Sequence, residues 1–183
     1  MTYYGGRELA ASFRTVRKNT MQIAEEIPES QYGYRVTPDT RSVAATLVHV
    51  AFAPRVAEHA HGGRVDDYAA ANFKGLFERI RADEARSRSK PEILALLAEE
   101  GERFASFLEP LTEPFLAEPV KMFPGAQPAI KTRFELLLAP KEHEMHHRAQ
   151  LMVVERLIGL VPHLTRQMQA RMAEIQAAQQ QAQ

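Results

Sequence analysis

Long stretches of this chain repeat apolar residues in steps of three and four, and prolines divide them. From Leu9 the positions are Leu9, Phe13, Val16, Ile23 and Ile27, with Thr20 filling the missing step, and Pro28 stops the run. That period collects side chains on one face of an α-helix. A loop with Tyr32, Gly33, Tyr34 and Pro38 follows, and Asp39 or Thr40 is placed to cap a second helix over residues 40–60. Pro54 has no N–H for the carbonyl of Val50, so a kink is expected there. Residues 62–75, rich in Gly, Asp and Ala, read as a long connection with a helical turn at most. Ser89-Lys-Pro-Glu92 matches a capping box with proline in the first turn, and opens a third helix with the stripe Ile93, Leu96, Leu97, Phe104, Phe107, Leu108, Leu111. Five prolines between Pro110 and Pro128 leave that segment a loop, and a fourth helix runs from near Ile130 to about Leu160, kinked at Pro140. Beyond Pro162 the tail suits a short polar helix fraying into Gln-rich disorder.

No period-2 strand of useful length and no internal repeat is visible. Four amphipathic helices with uneven connections give an all-α four-helix bundle. The expected organisation is a bundle over residues 1–163 and a polar C-terminal helix or tail over 164–183.

Composition narrows the function classes. Lys plus Arg and Asp plus Glu are both 23, the formal net charge is zero, and no basic run exists, so no nucleic-acid surface is indicated. Cysteine is absent, which removes disulfides, thiolate metal sites and a Cys nucleophile. The N-terminal MTYYGGRELAASFRTVRK has no apolar core of a secretory signal, and no run reaches the roughly 20 apolar residues of a membrane span, so a cytoplasmic protein with no membrane partner is expected.

The chemistry concentrates in PKEHEMHHRAQL, residues 140–151. The core seam of the fourth helix reads Leu136, Pro140, His143, His147, Gln150, Val154, Leu157, Val161, which puts two histidines on successive interior turns. Such a pair lies about 5–6 Å apart on one face and suits one metal ion. Two interior imidazoles each need a partner, and one cation satisfies both. On the second helix, His49 shares a face with Ala45, Phe52 and Val56 and is a candidate third ligand from a facing helix. Three neutral imidazoles leave coordination positions open. Of the other histidines, His146 points about 100° from His147. His59, His61 and His163 are expected at the surface.

The segments RSVAATLVHVAF and HEMHHRAQL together resemble the DinB/YfiT-like superfamily, over a stretch from the first helix to Pro162. The resemblance implies a four-helix bundle of up-down-down-up type with an added short C-terminal helix. It implies one divalent metal (Zn, Ni or Fe) on the helix-two histidine and on the first and last histidines of an H-x-x-x-H-R-G-Q segment, here His49, His143 and His147. Arg148 and Gln150 match the Arg and Gln of that segment and are candidate substrate-binding residues. The family's Gly is Ala149 here, which predicts slightly wider packing against a neighbouring helix. Characterised members include thiol-dependent transferases and isomerases that use bacillithiol, mycothiol or glutathione, with the metal activating the thiolate. A small-molecule substrate, a low-molecular-weight thiol and a homodimer are therefore expected.

Other readings stay open. His143-Glu-x-x-His147 spells the zinc-peptidase signature, with Glu144 as general base. The metzincin extension fails, since Gln150 and Val153 stand where Gly and the third His belong. Glu155, the nearest downstream carboxylate, lies about 12 Å along the same helix and 80° off the ligand face. In a bundle, Glu144 flanks the site as a partner of a ligand, a surface residue or a base. Tyr32, Tyr34 and Arg35 are candidates for the mouth of the site. A non-catalytic bundle that holds metal or a small ligand is the remaining alternative.

Overall fold

A computed structural model describes residues 4–181. Its main helices are α1 (Gly6–Glu26), α2 (Val43–Phe52), α3 (Pro54–Gly62), α4 (Lys74–Glu84), α5 (Lys90–Leu108), α6 (Glu113–Leu116), α7 (Arg133–Leu157) and α8 (His163–Gln181). α1, α2 continued by α3, α5 and α7 form the bundle, with α1 packed on α5 and α7, and α2 packed on the same two helices. The core runs from Ile23, Leu47, Leu97 and Leu151 at one end to Phe13, Phe104, Leu108 and Leu137 at the other.

Local chemistry sets the helix starts. The capping box that opens α5 forms as read, with the Ser89 N–H donating to Glu92 Oε2 at 2.7 Å. An equivalent box of Thr132 and Glu135 opens α7. The cap of α2 is Ser42, whose hydroxyl oxygen accepts from the Ala45 N–H, and not Asp39 or Thr40. The expected second helix is two helices: α2 ends at Phe52 and α3 restarts with Pro54 in its first turn, where a missing N–H costs nothing. Pro140, by contrast, lies inside an α7 that continues through it.

Three regions differ from the sequence expectation. α4 occupies residues left without structure, and it packs on α2 with Leu76 and Ile80 buried. The proline-rich segment holds α6 and a strand, β1 (Pro119–Lys121), antiparallel to β2 (Ile130–Thr132), with Val120 opposite Lys131. Strands of three residues are too short to show a period. The C-terminal helix is present but runs 19 residues to Gln181, touching the bundle mainly through α1. No helix among the described residues is long and apolar enough to cross a membrane.

α1 and α5 approach closely at Gly6, where a Cβ would lie 2.5 Å from the carbonyl oxygen of Leu108. Ala149, where a glycine was expected from the resemblance, is exposed and does not belong to the packed core.

Candidate metal centre

His49 comes from α2, and His143 and His147 come from successive turns of α7. One ring nitrogen from each of the three lies within 4.8 Å of the other two. His49 Nε2 and His143 Nε2 are 3.0 Å apart, and the three rings meet edge to face.

What lies behind the rings determines which nitrogens face one another. His49 Nδ1 is 2.8 Å from Glu84 Oε1, an atom of an ionised carboxylate that only accepts, so Nδ1 carries the proton and Nε2 a lone pair. His147 Nδ1 donates in the same way to Gln150 Oε1 at 2.8 Å, while the Gln150 amide donates to His146 Nε2 at 3.0 Å. These tautomers are assigned from the hydrogen-bond network. Two Nε2 lone pairs thus converge with the His143 ring. Burial, then the neighbouring His49, lowers the basicity of His143, and burial brings His147 down to about 4. Burial thus favours the neutral form of both α7 rings, which leaves each with one lone pair.

The donor set fits a divalent cation. His49 Nε2 and His143 Nε2 at 3.0 Å are at hydrogen-bond distance, so the His143 ring can place a proton between them, and a divalent cation would take that proton's place. Tetrahedral Zn–N bonds of 2.0–2.1 Å would hold such nitrogens about 3.3 Å apart, within a few tenths of the spacing present. Histidine ligands characteristically donate their second N–H to a carboxylate or amide oxygen, as His49 and His147 do here.

Two cavities open on the cluster. One, of about 810 Å³, includes Thr40, Arg41, Thr46, His147 and Gln150 in its wall. The other, of about 450 Å³, includes Arg41, His49, Glu84 and His143. Arg41 borders both.

The other candidate residues lie elsewhere. Glu144 is 1% exposed, and both its oxygens accept from Arg17, at 3.0 and 3.1 Å from Nε and at 3.0 Å from Nη2. Arg17 also donates to the carbonyls of Leu97 and Val50. Gly101 admits this side chain, since a Cβ there would lie 2.8 Å from Arg17 Cγ. Gln150 stands behind His147 and at the wall of the larger cavity. Arg148 borders neither cavity, and its charge acts on His163. Tyr32 is buried with its hydroxyl donating to the Ala24 carbonyl, Tyr34 packs on the core, and Arg35 binds the Thr40 carbonyl; Val36, Asp39, Thr40 and Arg41 occupy the mouth instead.

Two histidines expected at the surface are interior. His61 is 1% exposed because the guanidinium of Arg133 closes over the end of α3, with Nη1 3.2 Å from His61 Nδ1. Burial first, then Arg133, brings its pKa down to about 4. His163 is also 1% exposed, at the start of α8 and 3.4 Å from Asn19. His59 is exposed as expected.

Glu84 and Arg17 were not singled out in the sequence. Phe73, Leu76 and Ile80 step by three and four, a signal that would have revealed α4 and placed Glu84 one turn past its buried stripe. Arg17 follows Phe13 by four residues on the buried side of α1, and an interior charge requires an interior counter-charge.

A family model described as the DinB superfamily matches residues 12–151. The chain belongs to that superfamily. Among similar solved structures, a DinB-like protein from Bacillus subtilis has 20% identity and a TM-score of 0.62, covering 83% of this chain and 92% of that one. YfiT from Bacillus subtilis, described as a probable metal-dependent hydrolase with an unusual four-helix bundle topology, has 16% identity and a TM-score of 0.64, covering 87% and 91%. A protein from Streptococcus pneumoniae has 20% identity and a TM-score of 0.57, covering 85% and 93%. At these identities the likeness concerns the fold. No curated protein sequence matches the chain.

Proposed function

We propose that this DinB superfamily protein is a metal-dependent enzyme in which His49, His143 and His147 hold one divalent cation, Zn, Ni or Fe. The observation that carries the reading is the pair of hydrogen bonds from His49 Nδ1 to Glu84 and from His147 Nδ1 to Gln150, which commit both rings to present Nε2 inward. A divalent cation held by three neutral imidazoles keeps its full charge, and supplies Lewis-acid activation of an anionic ligand, a thiolate or a hydroxide. The donor set suits all three metals.

Two reactions follow from the choice of activated group. Transfer to or isomerisation by a low-molecular-weight thiol (bacillithiol, mycothiol or glutathione) requires room for a thiol and a second substrate, and two cavities that share Arg41 support that reading. Hydrolysis is supported by the description of YfiT as a probable metal-dependent hydrolase. In either case Arg41 is placed to attract an anionic reactant. Glu144, with both oxygens on Arg17, serves the fold.

Cobalt substitution separates the possibilities. The protein is stripped with a chelator, reloaded with Co(II), and titrated with each thiol. A new near-ultraviolet sulfur-to-cobalt absorption with one of them supports thiol activation. No such band, with cobalt bound, moves the reading to hydrolysis. Failure to take up cobalt overturns the metal centre.

A further inference from the structure

The smaller cavity has a direction. Along α4 its wall runs from Glu84, hydrogen-bonded to His49, through Arg81 one turn back, to Phe77. Along α7 it runs from His143 through Pro140 to Leu136, and from His49 it continues through Ala53 to Val56. Each wall spans seven residues of helix or nearly so, which is about 10 Å at 1.5 Å per residue. The cavity is therefore a slot with the histidines at one end and apolar side chains at the other.

The far end is aromatic and partly exposed. Phe77 is 42% exposed, Tyr68 lies beside it in the wall, and Phe73 and Phe123 complete a cluster with ring centroids 5.3 to 6.2 Å apart. Exposed aromatics gathered at the mouth of a cavity indicate a surface that takes an apolar group. The volume of about 450 Å³ suits a small molecule.

The histidine end is cationic. Arg41 and Arg81 both border the slot, and neither joins any ion pair among the described residues. Glu84 is the single carboxylate in the wall, and its Oε1 is engaged by His49. Arg41 and His143 line the same cavity. Two free guanidinium groups against one engaged carboxylate favour an anion, and the fork geometry of arginine suits a carboxylate.

We propose that the slot takes an apolar molecule with one carboxylate head, seated head-first beside the histidine cluster with its body toward Phe77 and Leu136. This deepens the metal-enzyme reading and rests on it for the chemistry, although not for the binding, because both arginines belong to the protein.

The test uses octanoate as the probe, titrated calorimetrically into the full chain with and without metal, beside octan-1-ol, acetate and octylamine. Octanoate is expected to bind, with octan-1-ol and acetate each weaker by about tenfold or more, and octylamine showing no binding. Arg81→Met combined with Arg41→Met is expected to weaken octanoate by at least roughly tenfold while leaving octan-1-ol unchanged. Phe77→Ala is expected to weaken both. Octanoate binding no tighter than octan-1-ol, or unchanged in the double arginine variant, overturns the proposal. Metal content measured on the same samples keeps the two readings apart. Octanoate binding with no metal uptake removes the metal centre and leaves the slot; metal uptake with no octanoate binding removes the slot alone.

Discussion

Glu84 accepts the Nδ1 proton of His49 at 2.8 Å, and this one contact fixes both the tautomer and the plane of the ring. Loss of such a partner typically weakens metal binding by about 10–100-fold. Glu84→Ala is therefore expected to lower affinity by that order, measured by competition with a chelator, whereas Glu84→Gln keeps an accepting oxygen and most of the affinity. Equal affinity in Glu84→Ala and the wild type would make the contact incidental. Glu144, next to His143 in the chain but turned to Arg17, has a different fate when replaced. Removing one partner of a buried ion pair strands the other charge and costs about 3–5 kcal/mol. Glu144→Ala should lose stability of that order in denaturant unfolding and keep its metal stoichiometry. Metal lost at full stability would return Glu144 to the metal site.

Among the elements, the junction of α7 and α8 carries the clearest pH signature. Glu155 is fully buried on α7, and neither carboxylate oxygen has a hydrogen-bond partner among the described residues. Burial, and secondarily Glu26, pushes its pKa up to about 7, from 4.5. The folded state thus holds this proton more tightly than the unfolded one, so the cost of ionising Glu155 is absent below pH 4.5 and destabilises the fold progressively as pH rises to 7. Glu155→Gln is expected to flatten that decline, seen as a smaller loss of Tm between pH 5 and pH 8 than in the wild type; an unchanged slope would contradict the assignment. Burial of Glu155 was invisible in the sequence because the groups around it, among them Glu26 of α1 and Arg166 of α8, come from other elements. The same reason hid His61 and His163, whose cover comes from Arg133 and α1, distant in the chain. α4 was hidden differently: its stripe of Phe73, Leu76 and Ile80 is present but short, and Gly and Asp just upstream suggest a loop.

At the scale of the whole molecule, the bundle was legible because its core helices bury long stripes at a helical period, and capping boxes and prolines mark their ends. Convergence of His49 with His143 and His147 was legible too, since α2 and α7 are neighbours in the bundle and each histidine interrupts an apolar face. What stands behind the ligands was not: Glu84 arrives on an added helix, and Gln150 turned out to support His147. The central claim is that this inter-helix cluster binds one metal ion. Elemental analysis of the untagged protein beside His49→Ala, both folded and supplemented with metal, tests it most directly. The expected result is near one equivalent in the wild type and little in the variant. Full occupancy in His49→Ala, or none in either protein, would contradict it.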